Sequence, residues 1–218
     1  MLHGKGAFVH VSVNATPTLT ELRELRDYTF DIFLSVKSDE VFAEWVRDTF
    51  IPLFGFYIKE DVRAKCRRAF AGLFFYKTNL GPGDPWPDEL RAAIRGSRCA
   101  VALCSPEYFY SRYCLTEFHS FLERSRTEKA KVLIPAAVHD GEAFPDEARN
   151  IQIADFADFV IVGPGFRETK KFMMLQEKLT KFSLRVAELV SLAPAFKEWP
   201  IVEKAAPAQP PTVTQRTL

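Results

Sequence analysis

This chain is poor in the residues that build metal, disulfide and phosphate-loop sites. Its 218 residues hold four cysteines, four histidines and ten glycines. Cys66, Cys99, Cys104 and Cys114 form no Cys-x-x-Cys pair, and two of them bound one short apolar segment, so buried free thiols are expected. The histidines lack metal-ligand spacing, and no metal is expected. Gly163-Pro-Gly165 has neither the Gly-x-x-x-x-Gly-Lys-Ser/Thr nor the Gly-x-Gly-x-x-Gly context of a phosphate cradle. No apolar run approaches the ~20 residues that span a bilayer, and Met1 to His10 lack the continuous apolar stretch of a secretory signal. Lys and Arg total 29 against 28 Asp and Glu, so no net field steers the chain to nucleic acid or membrane. A cytoplasmic protein without either partner is expected.

What the chain does have is apolar residues, 47% of the total, arranged in alternating strand and helix patterns with no internal repeat. Thr29 to Val36 is rich in β-formers and reads as a first strand. Val41, Phe42, Trp45, Val46 and Phe50 follow at helical spacing, with Ser38 or Asp39 as cap, and Pro52 is expected to end or kink that helix. A basic segment over 53–70, with a short helix at 60–70, precedes a second strand at Leu73 to Tyr76. Pro87, Asp88 and Glu89 suit a helix start, and Cys99 to Cys104 has the continuous apolar run of a central parallel strand. A helix over 111–126, a strand over 132–138, a helical turn near 146–151, a last strand near 156–161 and an amphipathic helix over 167–191 complete the pattern. This predicts an α/β fold of the flavodoxin-like kind, a five-stranded parallel sheet in the order 2-1-3-4-5 with helices on both faces. The expected units are an N-terminal extension over 1–27 with an extra strand and a Glu/Arg-rich helix, a domain over 28–192, and a disordered Pro/Ala-rich tail over 193–218.

The segment Ser105-Pro-Glu-Tyr-Phe-Tyr-Ser-Arg-Tyr-Cys-Leu-Thr-Glu117 follows the central strand and opens a helix. In open α/β sheets, ligands bind beyond the C-terminal strand ends. Cys114, Phe118, Phe121 and Leu122 share the face expected to meet the sheet, which leaves Tyr113 and Glu117, one turn apart, at the edge of the cleft. Cys114 is a packing residue rather than a nucleophile on this spacing. Upstream, Asn79-Leu-Gly-Pro-Gly-Asp-Pro-Trp86 combines glycines that allow close backbone approach with prolines that stiffen the loop. Trp86 there has two readings, a contact in the cleft or a staple at the helix start. Arg63, Lys65, Arg67 and Arg68 read as a solvated helix face, and His139-Asp140-Gly141 as a turn. A phosphoacceptor receiver domain is excluded, because Cys99 to Ser105 offers no Asp at the strand end.

These motifs bring a family into view. Phe30-Asp-Ile-Phe-Leu-Ser35 resembles the first box of TIR (Toll/interleukin-1 receptor) domains, and residues 79–84 resemble their BB loop. Ser97 to Tyr108 and Ser111-Arg-Tyr-Cys-x-x-Glu117 resemble the third strand and the start of the αC helix. The resemblance covers about residues 28–192, and the form is similar to stand-alone bacterial TIR proteins. It implies an NAD+ nucleosidase that releases nicotinamide and leaves ADP-ribose or a cyclic isomer, acting in antiphage defence or immune signalling. It implies Glu117 as the catalytic residue, with Tyr113 standing where the family often has Trp. It places Ser35, Val36 and Lys37 at the substrate, Lys37 near the diphosphate, and Asp84 and Trp86 in the capping loop. It also implies NAD+ as substrate with no cofactor, self-association through residues 79–86, and a partner effector or sensor protein. A lone carboxylate is chemically sufficient, because nicotinamide leaves as a neutral molecule without protonation while positive charge develops on the ribose. The alternatives are a non-catalytic TIR scaffold that works by assembly and a nucleoside deoxyribosyltransferase-like enzyme.

Overall fold

Seven residues, Phe30–Val36, form the strand on which the architecture turns, and six of the seven are buried. The computed structural model describes residues 7–8, 27–37, 40–77, 88–141 and 144–205. Its strands are β1 (Ala7–Phe8), β2 (Phe30–Val36), β3 (Leu73–Lys77), β4 (Ser97–Cys104), β5 (Leu133–Ala137) and β6 (Ala154–Asp155). They lie in one sheet in the order β1-β3-β2-β4-β5-β6. From β3 to β6 all pairings are parallel. Counted from β2, the order is 2-1-3-4-5, the expected topology. The two-residue β1 adds an antiparallel edge to β3, and the expected helix within 1–27 lies outside the described residues.

The helices are α1 (Glu40–Trp45), α2 (Ile51–Cys66), α3 (Asp88–Gly96), α4 (Arg112–Glu128), α5 (Asp146–Arg149) and α6 (Lys170–Ser191). The chain moves from β2 to β3 in one direction and from β3 through β6 in the other, so right-handed crossovers put α2 on one face and α3 and α4 on the opposite one. α6 returns to pack on α2, and α4 covers β2, β4 and β5. Phe33 of β2 meets Phe121 of α4, with ring centroids 5.8 Å apart. The first strand's Asp31 is fully buried and ties the connection into β3. Arg68 binds both of its carboxylate oxygens, Arg98 lies 3.2 Å away, and the Ala71 N–H donates to it at 2.7 Å. Arg68 therefore leaves the solvated basic face expected for it, whereas Arg63, Lys65 and Arg67 remain exposed.

Three expectations need correction. Pro52 neither ends nor shortens its helix: it sits in the first turn of the 16-residue α2, directly after a π turn over Val46–Phe50. Proline has no N–H to offer the carbonyl four residues back, and that carbonyl, on Asp48, instead accepts from Arg167 at 3.2 Å. The proline is thus tolerated where a wider turn and a distant arginine absorb the lost bond, and residues 53–66 are helical throughout. The last strand is Ala154–Asp155, not 156–161. The ladder takes one more bond, Phe156 N–H to the Ala137 carbonyl at 2.6 Å, and Asp155 then accepts from the Ala157 N–H and turns the chain into a 3-10 helix.

The third correction concerns the tail. Residues 193–205 were expected to be loose, but they run back along α4 as an extended strap. Phe196 packs edge-on against Tyr28 at 5.3 Å, Lys197 pairs with Glu128, and Trp199 is 2% exposed with the Arg124 guanidinium 4.5 Å from its ring. The Val202 N–H donates to Ser120 Oγ at 2.9 Å and the Lys204 N–H to Thr116 Oγ1 at 3.1 Å. Two residues of extended chain advance about 6.7 Å and four residues of helix about 6 Å, so alternate strap amides meet successive turns of α4. Residues 206–218 lie outside the described residues.

Candidate active site

Two strand ends and one helix start build the site. In the register of β2 and β4, Ser35 lies beside Ala102 and Val36 beside Leu103, so both strands finish at one edge of the sheet. Beyond β4, Ser105 caps a 3-10 turn over Pro106–Tyr110 by accepting from the Tyr108 N–H at 3.3 Å. That turn drives Tyr108 fully into the interior. Ser111 then caps α4 by accepting from the Cys114 N–H at 3.4 Å. One further turn along α4, Glu117 reaches back over the sheet edge to Ser35.

The result is a buried polar chain. Ser35 Oγ donates to Glu117 Oε2, and the Tyr108 hydroxyl lies 2.6 Å from Ser35 Oγ. Since Ser35 has one proton and gives it to the carboxylate, Tyr108 is the donor to Ser35. Glu117 is 7% exposed. Burial pushes its carboxyl up to about 8, and the Ser35 hydrogen bond pulls in the opposite direction without overcoming it. A carboxyl held near neutral pH at a strand edge is suited to meeting a positively charged group. Tyr108 and Cys114, both buried, titrate well above their ordinary ranges, again chiefly through desolvation. Cys114 is thus a packing thiol and not a thiolate nucleophile.

The site residues named from the sequence are not all brought together. Ser35 and Glu117 bond directly. Tyr113 lies one turn before Glu117, half-buried against the core, with the Arg112 guanidinium 5.2 Å from its ring centroid. Val36 and Lys37 are half-buried where β2 ends. Asp84 and Trp86, with the whole loop 79–86, lie outside the described residues. Tyr108 carries no site signal in the sequence beyond its spacing from Ser105, because its partner Ser35 is 73 residues away. His139 and Asp140 are exposed after β5, 3.8 Å apart. Among the described residues, no three His, Cys, Asp or Glu side chains are grouped as a metal ion would need, and no helix is long and apolar enough to cross a membrane. A cavity of about 510 Å³ lies away from this site, lined by Leu133 and Ile134 of β5, residues 150–154 and Phe182 of α6.

Residues 58–163 match the family profile of the TIR domain. A probable 2' cyclic ADP-D-ribose synthase of Brachypodium distachyon, BdTIR, is 34% identical over 88 residues, which cover 36% of this chain and 39% of that protein. The chain therefore spans about two fifths of the length of this relative. The TIR domains of the activated Roq1 resistosome, solved while recognising the effector XopQ, align with 71% of this chain and 83% of theirs, at 24% identity and a TM-score of 0.34. A parallel sheet in the order 2-1-3-4-5 and a glutamate on the helix after its central strand accompany that profile match: residues 58–163 are similar to the TIR domain.

Proposed function

We propose that this chain is a TIR-type NAD+ nucleosidase, with Glu117 as the residue that stabilises the developing ribosyl cation. The observation that carries the reading is the buried Glu117 carboxyl, held on Ser35 at the C-terminal edge of the sheet. The name of the related cyclic ADP-D-ribose synthase supports it. The bond from ribose C1′ to the nicotinamide nitrogen breaks, and its electron pair leaves with the ring and neutralises the pyridinium. Water, or a group of the ADP-ribosyl unit itself, then adds at C1′ and yields the linear or the cyclic product. Nicotinamide departs neutral, so the reaction needs neither a general acid at the leaving group nor a cofactor.

Glu117 enters with a carboxyl that titrates near 8 in the free protein. The pyridinium of the bound substrate is an adjacent positive charge and favours the ionised form. The Ser35 and Tyr108 hydroxyls orient and partly satisfy the carboxylate, while desolvation makes its attraction to the ribosyl cation stronger than in water. Tyr113 presents an aromatic face one turn away, and Lys37 at the end of β2 is the cation nearest in sequence to Ser35 on the substrate side. In this reading Asp84 and Trp86 contribute to capping the cleft, and self-association through residues 79–86 raises activity. A role in antiphage or other immune signalling, with a partner effector or sensor, belongs to the same proposal.

The test is NAD+ turnover by the purified chain and by Glu117→Ala, at high protein concentration, with products resolved by mass spectrometry. Nicotinamide release by the wild type alone supports the enzyme and identifies the product. Equal turnover by both proteins would move catalysis away from Glu117. Absence of turnover in a folded, concentrated wild type would favour the scaffold reading.

A further inference from the structure

The strap does more than cover α4; it ends at a pocket. Its last described residues, Glu203, Lys204 and Ala205, form one wall of a cavity of about 260 Å³. Arg91 of α3 and Arg112, Tyr113 and Thr116 of α4 form the rest. Three cationic residues and one acidic residue, Glu203, thus line it, and Glu203 sits 2.8 Å from Arg91. Among the described lining residues the surplus is two positive charges, in a chain whose net charge is only +1. The cavity is smaller than the ~300–1,000 Å³ that holds a whole small molecule, so it suits one group of a larger ligand. Arginine forks match phosphate oxygens in pairs, and a lysine ammonium adds a point charge.

The place of each wall is built into the fold. Lys204 is fixed through its backbone, whose N–H bonds Thr116 Oγ1, and the preceding turn of the strap is fixed through Ser120. Those bonds hold the backbone in register, and Lys204 is among the residues that line the pocket. Tyr113 is the shared wall: it lines this pocket, and one turn further on α4 is Glu117. An anionic group seated here would be part of any ligand that reaches from Tyr113 towards Glu117. The strap lies wholly outside the segment that matches the family profile, so one wall of this pocket comes from a part of the chain that the profile does not describe.

We propose that the C-terminal strap completes a phosphate-binding pocket, in which Lys204 joins Arg91 and Arg112 to take a diphosphate group. Resting on the function proposed above, that group is the diphosphate of the dinucleotide substrate, and the strap is a working part of the substrate site. The shared chemistry is the diphosphate, and free pyrophosphate is the other source of it.

Two measurements on the full chain test the inference and keep it separate from the reading it rests on. The first is calorimetric titration with inorganic pyrophosphate, for wild type, Arg112→Ala, Lys204→Ala and the double variant. Each single change should weaken pyrophosphate binding about tenfold, as expected for loss of one charge-assisted contact, and Lys204→Arg should restore it. The second is steady-state NAD+ turnover: the same changes should raise KM about tenfold and move kcat much less. Pyrophosphate binding that is absent, or equal in the wild type and the double variant, overturns the pocket. Pyrophosphate binding that is lost in the variants while NAD+ is cleaved with unchanged KM overturns its link to the substrate and assigns the pocket to a free diphosphate. If the wild type binds pyrophosphate and never cleaves NAD+, the pocket stands and the proposed function falls. Both side chains line an open pocket and anchor no core residue, so folding is not at stake.

Discussion

Two stripes of one helix, α4, treat buried polarity in opposite ways. Thr116, Ser120 and Arg124 lie under the strap, and their polar groups are paired except for Arg124 Nε. Ser120 Oγ donates to the Thr116 carbonyl at 2.7 Å while accepting from Val202, and Arg124 donates to the Ser97 and Ile94 carbonyls at 2.6 and 2.9 Å. The Arg124 guanidinium also lies 4.5 Å from the rings of both Phe121 and Trp199. Burial lowers it to about 10, which still leaves it charged at neutral pH. On the adjoining stripe, Glu117 is as deeply buried but has a hydroxyl for a partner rather than a cation. A buried charge with most of its donors paired holds the fold, whereas one left short of partners costs stability and is retained for chemistry. The contrast separates scaffold from site within two helical turns.

The largest break in that contrast comes from Glu117. Glu117→Gln should abolish NAD+ cleavage, by a factor on the order of a thousand, and should make the protein more stable. The folded carboxyl titrates at about 8 and the ordinary value is 4.5. Between those limits the folded state holds a proton that the unfolded chain has released. The stability that Glu117 allows is therefore complete below pH ~4.5, falls as pH rises, and is lost above pH ~8. Glutamine does not titrate, so chemical denaturation at pH 8 should show a gain on the order of 2–4 kcal/mol that disappears near pH 4. A destabilised Glu117→Gln at pH 8 would mean that the carboxyl is better satisfied than its surroundings imply.

Next in size is the strap. Trp199→Ala removes a ring that is 2% exposed and stacked on Arg124. It should cost about 3–5 kcal/mol in denaturant unfolding; a loss below 1 kcal/mol would show that the strap rests on α4 without contributing to it. Tyr108→Phe sharpens the site side. Without a donor to Ser35, the Ser35 proton is less polarised and the ionised form of Glu117 is less favoured. The pH profile of kcat/KM rises as Glu117 ionises in the free protein, towards pH 8. In Tyr108→Phe that rise should move to higher pH by about half a unit to one unit, with kcat/KM at pH 7 lowered about three- to tenfold. An unmoved profile would detach Tyr108 from Glu117. The smallest effect is expected from Ser120→Ala, about 1 kcal/mol of stability in denaturant unfolding for the lost Val202 bond.

Much of this was legible in the residues, and the limits follow a physical pattern. Continuous apolar runs such as Cys99 to Cys104, caps such as Ser105 and Ser111, and the periodic face of α6 are local signals, and the sheet order follows from how strands and helices alternate. Phe156 and Phe159 are apolar like a strand, yet Asp155 turns the backbone there, so composition was misleading at 156–161. Thr116, Ser120 and Arg124 recur every four residues as a solvated stripe would; only the strap, arriving about 80 residues later, makes them interior. The Tyr108 role was illegible for the same reason.

Sequence by itself determined the strand and helix alternation, the sheet order and the placing of Glu117 at the strand edge, because periodicity, capping and motif spacing act over a few residues. Tertiary structure alone decided that Pro52 lies inside a continuous helical run, that Glu117 hangs on Ser35 and Tyr108, and that the C-terminal segment closes over α4 to wall a cationic pocket. Each of these depends on which distant group supplies the missing partner of a buried polar atom, and that pairing exists only once the chain has folded.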